Sequence, residues 1–221
     1  MVHAAEGTDE RCRGELQALV EAGVLRQNTV IIHGIALPPE EAPRIAAARA
    51  SVVWCPESNR RLYGATAPVA ALGAAGVRVG LGSDSPVSGV RDALSNLAAA
   101  RAEGIFGDLE LLDLATRRTA EVARLPVGGF ARGAPADLLA VSSLERLLAG
   151  EREAVALVLV AGRPAYGEPA LMQALSAGSV EVGVAGARRR IDGAAGRRAA
   201  AILRERPSLR RIPWISGLGF D

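Results

Sequence analysis

The chain has 221 residues, of which 49% are hydrophobic and only 3% aromatic, so its core must be built mainly from Ala, Val, Leu and Ile. The formal net charge is small, at +2, and arginine supplies all 26 strongly basic residues. No segment approaches the roughly 20 consecutive apolar residues of a membrane-spanning helix. Residues 1–6 also lack the basic and apolar regions of a signal peptide. We therefore expect a cytoplasmic protein that does not bind a membrane.

Four strand–helix units are predicted along the first half of the chain. Each predicted strand is a short apolar run that stops abruptly at a glycine, a proline or a polar side chain. Each is followed by apolar residues at helical spacing or by a helix-starting proline. This alternation predicts a parallel sheet with right-handed crossovers. The strands end at His3 or Glu6, His33, Trp54–Cys55 and Asp84, with helices expected at 9–22, 38–49, 68–75 and 90–103 and a polar loop at 57–61.

The rest of the chain is predicted to hold a helix, a small β-rich part and an arginine-rich tail. Residues 111–125 have helical spacing, the turn-rich stretch 128–141 leads into a strand, and residues 154–160 favour another strand. No aromatic side chains are interleaved with the arginines of the tail, which disfavours nucleic-acid binding. We expect a solvated, partly disordered tail with a helix at 194–206. The predicted domains are 1–127, 128–176 and 177–221.

Side chains that carry chemistry stand at the ends of three predicted strands. Because the carboxyl ends of parallel strands share one face, His3, His33 and Asp84 are expected to lie close together. Imidazole and carboxylate groups suit a metal site or acid–base catalysis. Two alternatives stay open from the residues alone: Asp84 would also serve as the cap of the next helix, and each histidine as a surface or core residue. Cys55 is expected to be structural.

Five short motifs follow one another between residues 2 and 162. They are His3-Ala4-Ala5-Glu6, Ile32-His33-Gly34, Cys55-Pro56-Glu57-Ser58-Asn59 with Leu62 and Gly64, Leu81-Gly82-Ser83-Asp84-Ser85, and Gly133-Ala134-Pro135-Ala136-Asp137-Leu138. Each motif alone is weak evidence for any one family, but the order of the five and the spacing of the first four make the combination specific. Together they resemble the amidohydrolase superfamily, in the branch of the cytosine, guanine and S-adenosylhomocysteine deaminases and the triazine hydrolases.

The resemblance implies both a fold and an activity. The fold is α/β: the C-terminal half of a TIM-like (β/α)8 barrel, strands five to eight, followed by a small β appendage and a helical, arginine-rich tail. The activity is metal-dependent hydrolysis of C–N bonds other than peptide bonds, in the manner of a deaminase that uses metal-activated hydroxide. The implied substrate is a small heterocyclic amine or amide. Zn²⁺ is the expected metal, with Fe²⁺ as the alternative.

The resemblance also implies roles for individual residues. His3 matches a metal-binding histidine, and Glu6 matches a glutamate that shuttles a proton to the substrate ring or the leaving group. His33 matches a histidine that holds the substrate oxygen or the attacking water. Asp84 matches an aspartate that contacts the metal and takes the proton from its water. The expected sets are Glu6, His33 and Asp84 for catalysis, His3 and Asp84 for the metal, and His33, Trp54 and Asn59 for the substrate.

One departure from the family pattern is large. The family's first barrel strand carries a His-x-His pair, whereas His3 and His33 are the only histidines of this chain, and segments matching strands one to four are absent. We therefore hold three hypotheses: a C-terminal portion of a longer amidohydrolase, one subunit of a split enzyme, or a non-catalytic remnant that acts as an interaction module. The second requires a partner chain that supplies strands one to four, and open sheet edges also favour a homo-oligomer.

Overall fold

The structure is a computed structural model that describes residues 1–126, 129–184, 186–211 and 218–219. Contacts divide the chain into two compact units, Met1–Gly129 and Phe130–Asp221. The boundary lies close to residue 127, where the barrel-like part is predicted to end, while the division into three domains stays a prediction. Over the described ranges, no helix has the length and apolar character needed to cross a membrane.

The described part of the first unit is built on a parallel sheet of four short strands in the order β1-β2-β3-β4. Neighbouring strands are consecutive in the chain, as expected for repeated strand–helix units. One face of the sheet is fully buried, since Ile31 and Val52 have no exposed surface, whereas Ile32 and Val53 on the opposite face are half-buried. The strands are β1 (Val2–Ala4), β2 (Val30–His33), β3 (Ser51–Trp54) and β4 (Arg78–Leu81).

Helices follow each strand of this sheet, which confirms the predicted alternation. The helix after β1 begins where the sequence predicts, because the Asp9 carboxylate accepts a hydrogen bond from the Cys12 amide at 2.8 Å. The helices are α1 (Glu10–Glu21), α2 (Ala42–Ala47) after a 3-10 turn (Pro39–Glu41), α3 (Pro56–Tyr63), α4 (Val69–Ala74), α5 (Ala93–Ala102), α6 (Asp108–Asp113) and α7 (Thr119–Ala123), with a π turn (Leu114–Arg118) between the last two.

Helix α3 replaces the polar loop predicted at 57–61, and that prediction was wrong. Pro56 occupies the first turn, where its missing N–H costs no hydrogen bond, and Gly64 ends the helix in a left-handed conformation with φ of 65°. The polar residues of the segment therefore mark a helix whose inward face is polar. Ser58 and Asn59 are buried on that face.

The outer edge of β4 is covered by the helical segment at the end of the unit. The Leu81 amide donates to the Thr119 hydroxyl at 2.8 Å, and a side chain added at Gly80 would meet the Thr119 backbone and Val122 at 3.4 Å. Edge strands are commonly protected by such a cover. The close packing of this helical segment on β4 therefore explains why position 80 is a glycine.

The second unit contains a six-stranded sheet in the order β10-β8-β9-β7-β6-β5, in which the paired strands are antiparallel. It confirms strands near the predicted positions 138–141 and 154–160. Its elements are β5 (Leu138–Val141), α8 (Leu144–Leu148), β6 (Val155–Val160), β7 (Arg163–Gly167), α9 (Pro169–Leu175), β8 (Val180–Val184), β9 (Ala187–Ile191), α10 (Gly193–Glu205) and β10 (Leu218–Gly219), with 3-10 turns at Arg152–Ala154 and Pro207–Arg211.

The arginine-rich segment differs from the predicted helical tail. Helix α10 agrees with the helix expected at 194–206, but the arginine triplet lies in strand β9, which pairs with both β8 and β7. Arg188 contacts Glu181 on β8 at 2.6 Å, and Arg189 is only 8% exposed. Alternation of valine with polar residues along β8 is the strand pattern that explains this. Residues 212–217, 220 and 221 of the tail, which is predicted to be partly disordered, lie outside the described residues.

Two helical glycines give a matched test of packing in the two units. A Cβ on Gly196 of α10 would lie 2.1 Å from Val180 Cγ2, whereas a Cβ on Gly14 of α1 would meet no atom within 4 Å. We expect Gly196→Ala to lower the free energy of unfolding by about 1–3 kcal/mol through overpacking. Gly14→Ala should raise it by about 0.5–1 kcal/mol, since alanine favours the helix. Denaturant titration of both variants checks this, and equal effects would contradict the described packing of α10.

Candidate functional site at the strand ends

The carboxyl ends of the parallel strands carry an unusual backbone. Ala5 follows β1, His33 ends β2 and Asp84 follows β4, and their φ angles are 53°, 74° and 55°. Left-handed conformations are uncommon for residues other than glycine, because each one costs about 1–2 kcal/mol of strain. Such strain clusters at functional sites, where surrounding structure holds it in place. Three of the six such residues in the described part of the chain therefore lie at this edge of the sheet, which makes it the candidate site, and the other three are Arg49, Arg124 and Ala161.

Four of the predicted site residues gather there. The rings of His3 and His33 have centroids 5.4 Å apart and are tilted by 38°. His33 Nε2 lies 3.5 Å from Glu6 Oε1, and the Glu6 side chain is one third exposed. His33 is 1% exposed, while His3 and Asp84 are open to solvent. One buried imidazole is therefore surrounded by groups that a small molecule can reach.

Asp84 does not cap the next helix, which settles the alternative left open by the sequence. Helix α5 is capped by Asp92, whose carboxylate accepts from the Ser95 amide at 2.9 Å. Asp84 instead accepts a hydrogen bond from the Ser88 hydroxyl. Partial burial acts to raise the pKa of Asp84, but hydrogen bonding, chiefly from the Ser88 hydroxyl, outweighs it, so the pKa lies below its ordinary value. Asp84 is thus held in its ionised form.

Asn59 approaches His33 from helix α3. Its Oδ1 lies 3.0 Å from His33 Nδ1, and its side chain is fully buried. The sequence places Asn59 in the substrate-binding set, and that role stays a prediction. The contact with His33 was not foreseen, because it depends on α3 forming where a loop was expected. Ser88 was also missed, although its place four residues after Asp84 in a turn-rich stretch is compatible with such a contact.

Trp54 and Cys55 lie beneath the site. The Trp54 indole is fully buried, donates from Nε1 to the Thr66 hydroxyl at 2.7 Å and packs edge-on against Phe106. Stacking of Trp54 on a substrate stays a prediction. Burial, followed by the negative charge of Asp84, raises the pKa of the Cys55 thiol to about 12. A thiol with that pKa is unreactive, as expected for a structural cysteine.

The described residues do not form a complete metal site. Within 1–126, 129–184, 186–211 and 218–219, no three His, Cys, Asp or Glu side chains are grouped so that they could hold a metal ion. Protein-bound Zn²⁺ normally takes at least three protein ligands. His3 and Asp84 alone therefore do not fit a tightly bound catalytic metal, and their role as ligands stays a prediction.

Curated relatives of this chain are deaminases. The 5-methylthioadenosine/S-adenosylhomocysteine deaminase of Haloquadratum walsbyi is 34% identical over 128 residues, which cover 53% of this chain and 29% of that protein. The enzyme of the same name from Pyrococcus furiosus is 31% identical over 135 residues, covering 57% of this chain and 32% of that protein. The chain thus spans about a third of the length of these relatives.

Solved structures with the same fold include two deaminases. An adenosine deaminase from Xanthomonas campestris with bound zinc matches 73% of this chain and 44% of its own, with a TM-score of 0.66 and 26% identity. Escherichia coli guanine deaminase matches 76% of this chain and 48% of its own, with a TM-score of 0.64 and 22% identity, which shows the fold alone. The sequence model of the amidohydrolase family matches residues 1–186, which confirms the resemblance. The chain belongs to the amidohydrolase family.

Proposed function

We propose that this chain carries the acid–base part of a hydrolase that cleaves C–N bonds other than peptide bonds, most specifically a deaminase of a heterocyclic amine or amide. One observation carries the proposal: the Glu6 carboxyl group lies 3.5 Å from the Nε2 atom of buried His33, at the sheet edge that also bears Asp84. Family membership and the deaminase relatives support it.

The three groups suit the proton transfers of a deamination. Water must lose a proton as it attacks the ring carbon, and the departing nitrogen must gain one. Asp84, with its lowered pKa, is ionised at neutral pH and is the proposed acceptor of the water proton. Glu6, partly exposed on the open side of His33, is the proposed carrier of a proton to the leaving nitrogen. His33 would hold the substrate oxygen or the attacking water.

A metal is proposed only as a component that this chain does not hold by itself. In this class of reaction a divalent ion, Zn²⁺ or Fe²⁺, would supply activated water. The described residues lack a three-ligand group, so the proton-transfer roles above are assigned without it. The same observation favours two alternatives: a subunit whose partner chain supplies the missing ligands, and a non-catalytic remnant that acts as an interaction module.

The proposed architecture is the C-terminal half of a TIM-like barrel. Four parallel strands in sequential order, each followed by helix, support it. The outer edge of β4 is occupied at Leu81 by Thr119, whereas β1 is the other edge strand of the sheet. A partner chain, or a second copy of this chain, would most simply add beside β1. Cytoplasmic location stays a prediction.

Ammonia release by the native complex tests the proposed function. The protein, purified from its source with any chains that accompany it, is incubated with adenosine, 5-methylthioadenosine, S-adenosylhomocysteine and guanine, and its metal content is measured. Release of ammonia from one or more of these compounds is expected. A complex that binds stoichiometric metal and releases ammonia from none would contradict deamination, and a metal-free, inactive protein would favour the remnant.

A further inference from the structure

Asn59 has an unusual position for a buried polar residue. It is fully buried in the first turns of α3, and its Oδ1 contacts His33 Nδ1 at 3.0 Å. Within the described parts of the chain, its Nδ2 atom has no hydrogen-bond partner. A buried donor without a partner is unfavourable, so an apolar residue would serve packing better. The contact with His33 is therefore the feature that accounts for an asparagine here.

The contact determines which ring nitrogen of His33 carries the proton. A carboxamide oxygen accepts a hydrogen bond, so Nδ1 must donate it, and a neutral ring then has its lone pair on Nε2. The contact on the other side of the ring is consistent with this tautomer. Nε2 lies 3.5 Å from Glu6 Oε1, beyond the range of about 2.7–3.2 Å in which an N–H group donates to oxygen. A proton on Nε2 would be expected to draw Glu6 closer.

We propose that Asn59 is a positioning residue that holds neutral His33 as the Nδ1-protonated tautomer. The Nε2 lone pair then lies on the side of the ring nearest the partly exposed Glu6, where it accepts a hydrogen bond from a substrate or from water. The opposite tautomer would present an N–H group to Glu6 and engage the carboxyl group assigned to proton transfer. Asn59 thus keeps both Nε2 and Glu6 available. The consequence for catalysis rests on the proposed function, but the tautomer itself does not.

NMR spectroscopy of the imidazole nitrogens tests the tautomer directly. Because His3 and His33 are the only histidines, protein labelled with ¹⁵N-histidine gives two ring systems, and His3→Gln assigns them. Long-range ¹H–¹⁵N spectra are recorded two to three pH units above the usual histidine pKa of about 6.5, where an unperturbed imidazole is neutral. Wild-type protein is expected to show a protonated Nδ1 and an unprotonated Nε2 in His33. A protonated Nε2 in the wild type overturns the proposal without any Asn59 variant.

Variants of Asn59 distinguish a role in positioning His33 from a role in packing. Asn59→Leu is expected to release the ring, so that the Nε2-protonated form appears, whereas Asn59→Asp keeps an acceptor and should retain the wild-type tautomer. Asn96→Leu is the matched control, because Asn96 is also buried in a helix and also has one side-chain atom, Oδ1 in its case, without a partner among the described residues. It should leave His33 unchanged. An unchanged tautomer in Asn59→Leu, or an equal change in Asn96→Leu, overturns the proposal.

Ammonia release adds the functional readout. Loss of a residue that orients a metal-bound histidine commonly costs about 10- to 100-fold in metal affinity or activity, and we use that range for the orientation of His33. We expect a fall of about that size in kcat for Asn59→Leu, with kcat largely restored in Asn59→Asp. If the complex releases no ammonia from any substrate, the proposed function fails while the NMR result still decides the tautomer. If the tautomer changes in Asn59→Leu and kcat does not, the catalytic part of the inference is wrong.

Discussion

Glu6→Gln is expected to reduce kcat for ammonia release by about 10²- to 10⁴-fold, the usual contribution of a general acid–base group. Glutamine has the shape of glutamate and keeps a hydrogen-bonding oxygen near His33, but it cannot carry a proton between water and a leaving nitrogen. Substrate binding should change less than kcat, because the loss falls on the proton-transfer step. Steady-state kinetics of ammonia release would measure both.

The control for Glu6 is the same substitution at Glu10. Glu10 lies in the exposed first turn of α1, where it pairs with Arg13. Surface ion pairs contribute little to stability, so Glu10→Gln should behave like the wild type in both folding and activity. If Glu6→Gln kept wild-type kcat, Glu6 would not transfer the proton and the central part of the proposed function would be wrong.

Asp84→Asn is expected to have an effect of similar size, about 10²- to 10⁴-fold on kcat, because the proposed proton acceptor is lost. Asparagine still accepts a hydrogen bond from Ser88 and tolerates the left-handed backbone that Asp84 adopts, with φ of 55°. The fold should therefore be preserved, and thermal unfolding followed by circular dichroism would verify this. The kinetic loss then reports on the missing carboxylate.

Asp92→Asn provides the control within the same stretch of chain. Asp92 caps α5, and asparagine caps a helix as well as aspartate does. This variant should retain both stability and kcat. Loss of activity in Asp92→Asn would mean that disturbing this stretch of chain is enough to lower kcat, and full activity in Asp84→Asn would show that Asp84 is not the proton acceptor.

The sequence predicted the framework of the site well, for a physical reason. Buried parallel strands are continuous apolar runs, so their ends are visible as abrupt changes to His33 or Asp84. Alternation of strands with helices then places those ends on one edge of the sheet. The sequence left two choices undecided, between catalyst and helix cap for Asp84 and between a functional and a structural role for each histidine, because residue type alone does not distinguish them.

The details that sequence reasoning missed depend on tertiary contacts. Polar residues after Pro56 are typical of a loop, yet Ser58 and Asn59 are buried on the inward face of α3, where Asn59 contacts His33. Likewise, an arginine triplet is typical of a solvated surface, whereas the alternation of valine along β8 is typical of a strand that pairs with it. In both cases local composition favoured solvent, and partners distant in sequence determined the structure.

The left-handed backbone at Ala5, His33 and Asp84 provides a way to distinguish a protein that is still selected for catalysis from one that has lost its activity. Glycine adopts these φ angles without strain, and asparagine comes next. If catalysis were no longer under selection, substitution of these three residues by glycine or asparagine would be retained, because it would increase the stability of the fold. Orthologues that keep bulkier residues at these three positions would still be under selection for the reaction. Orthologues with glycine at these positions would have lost the activity.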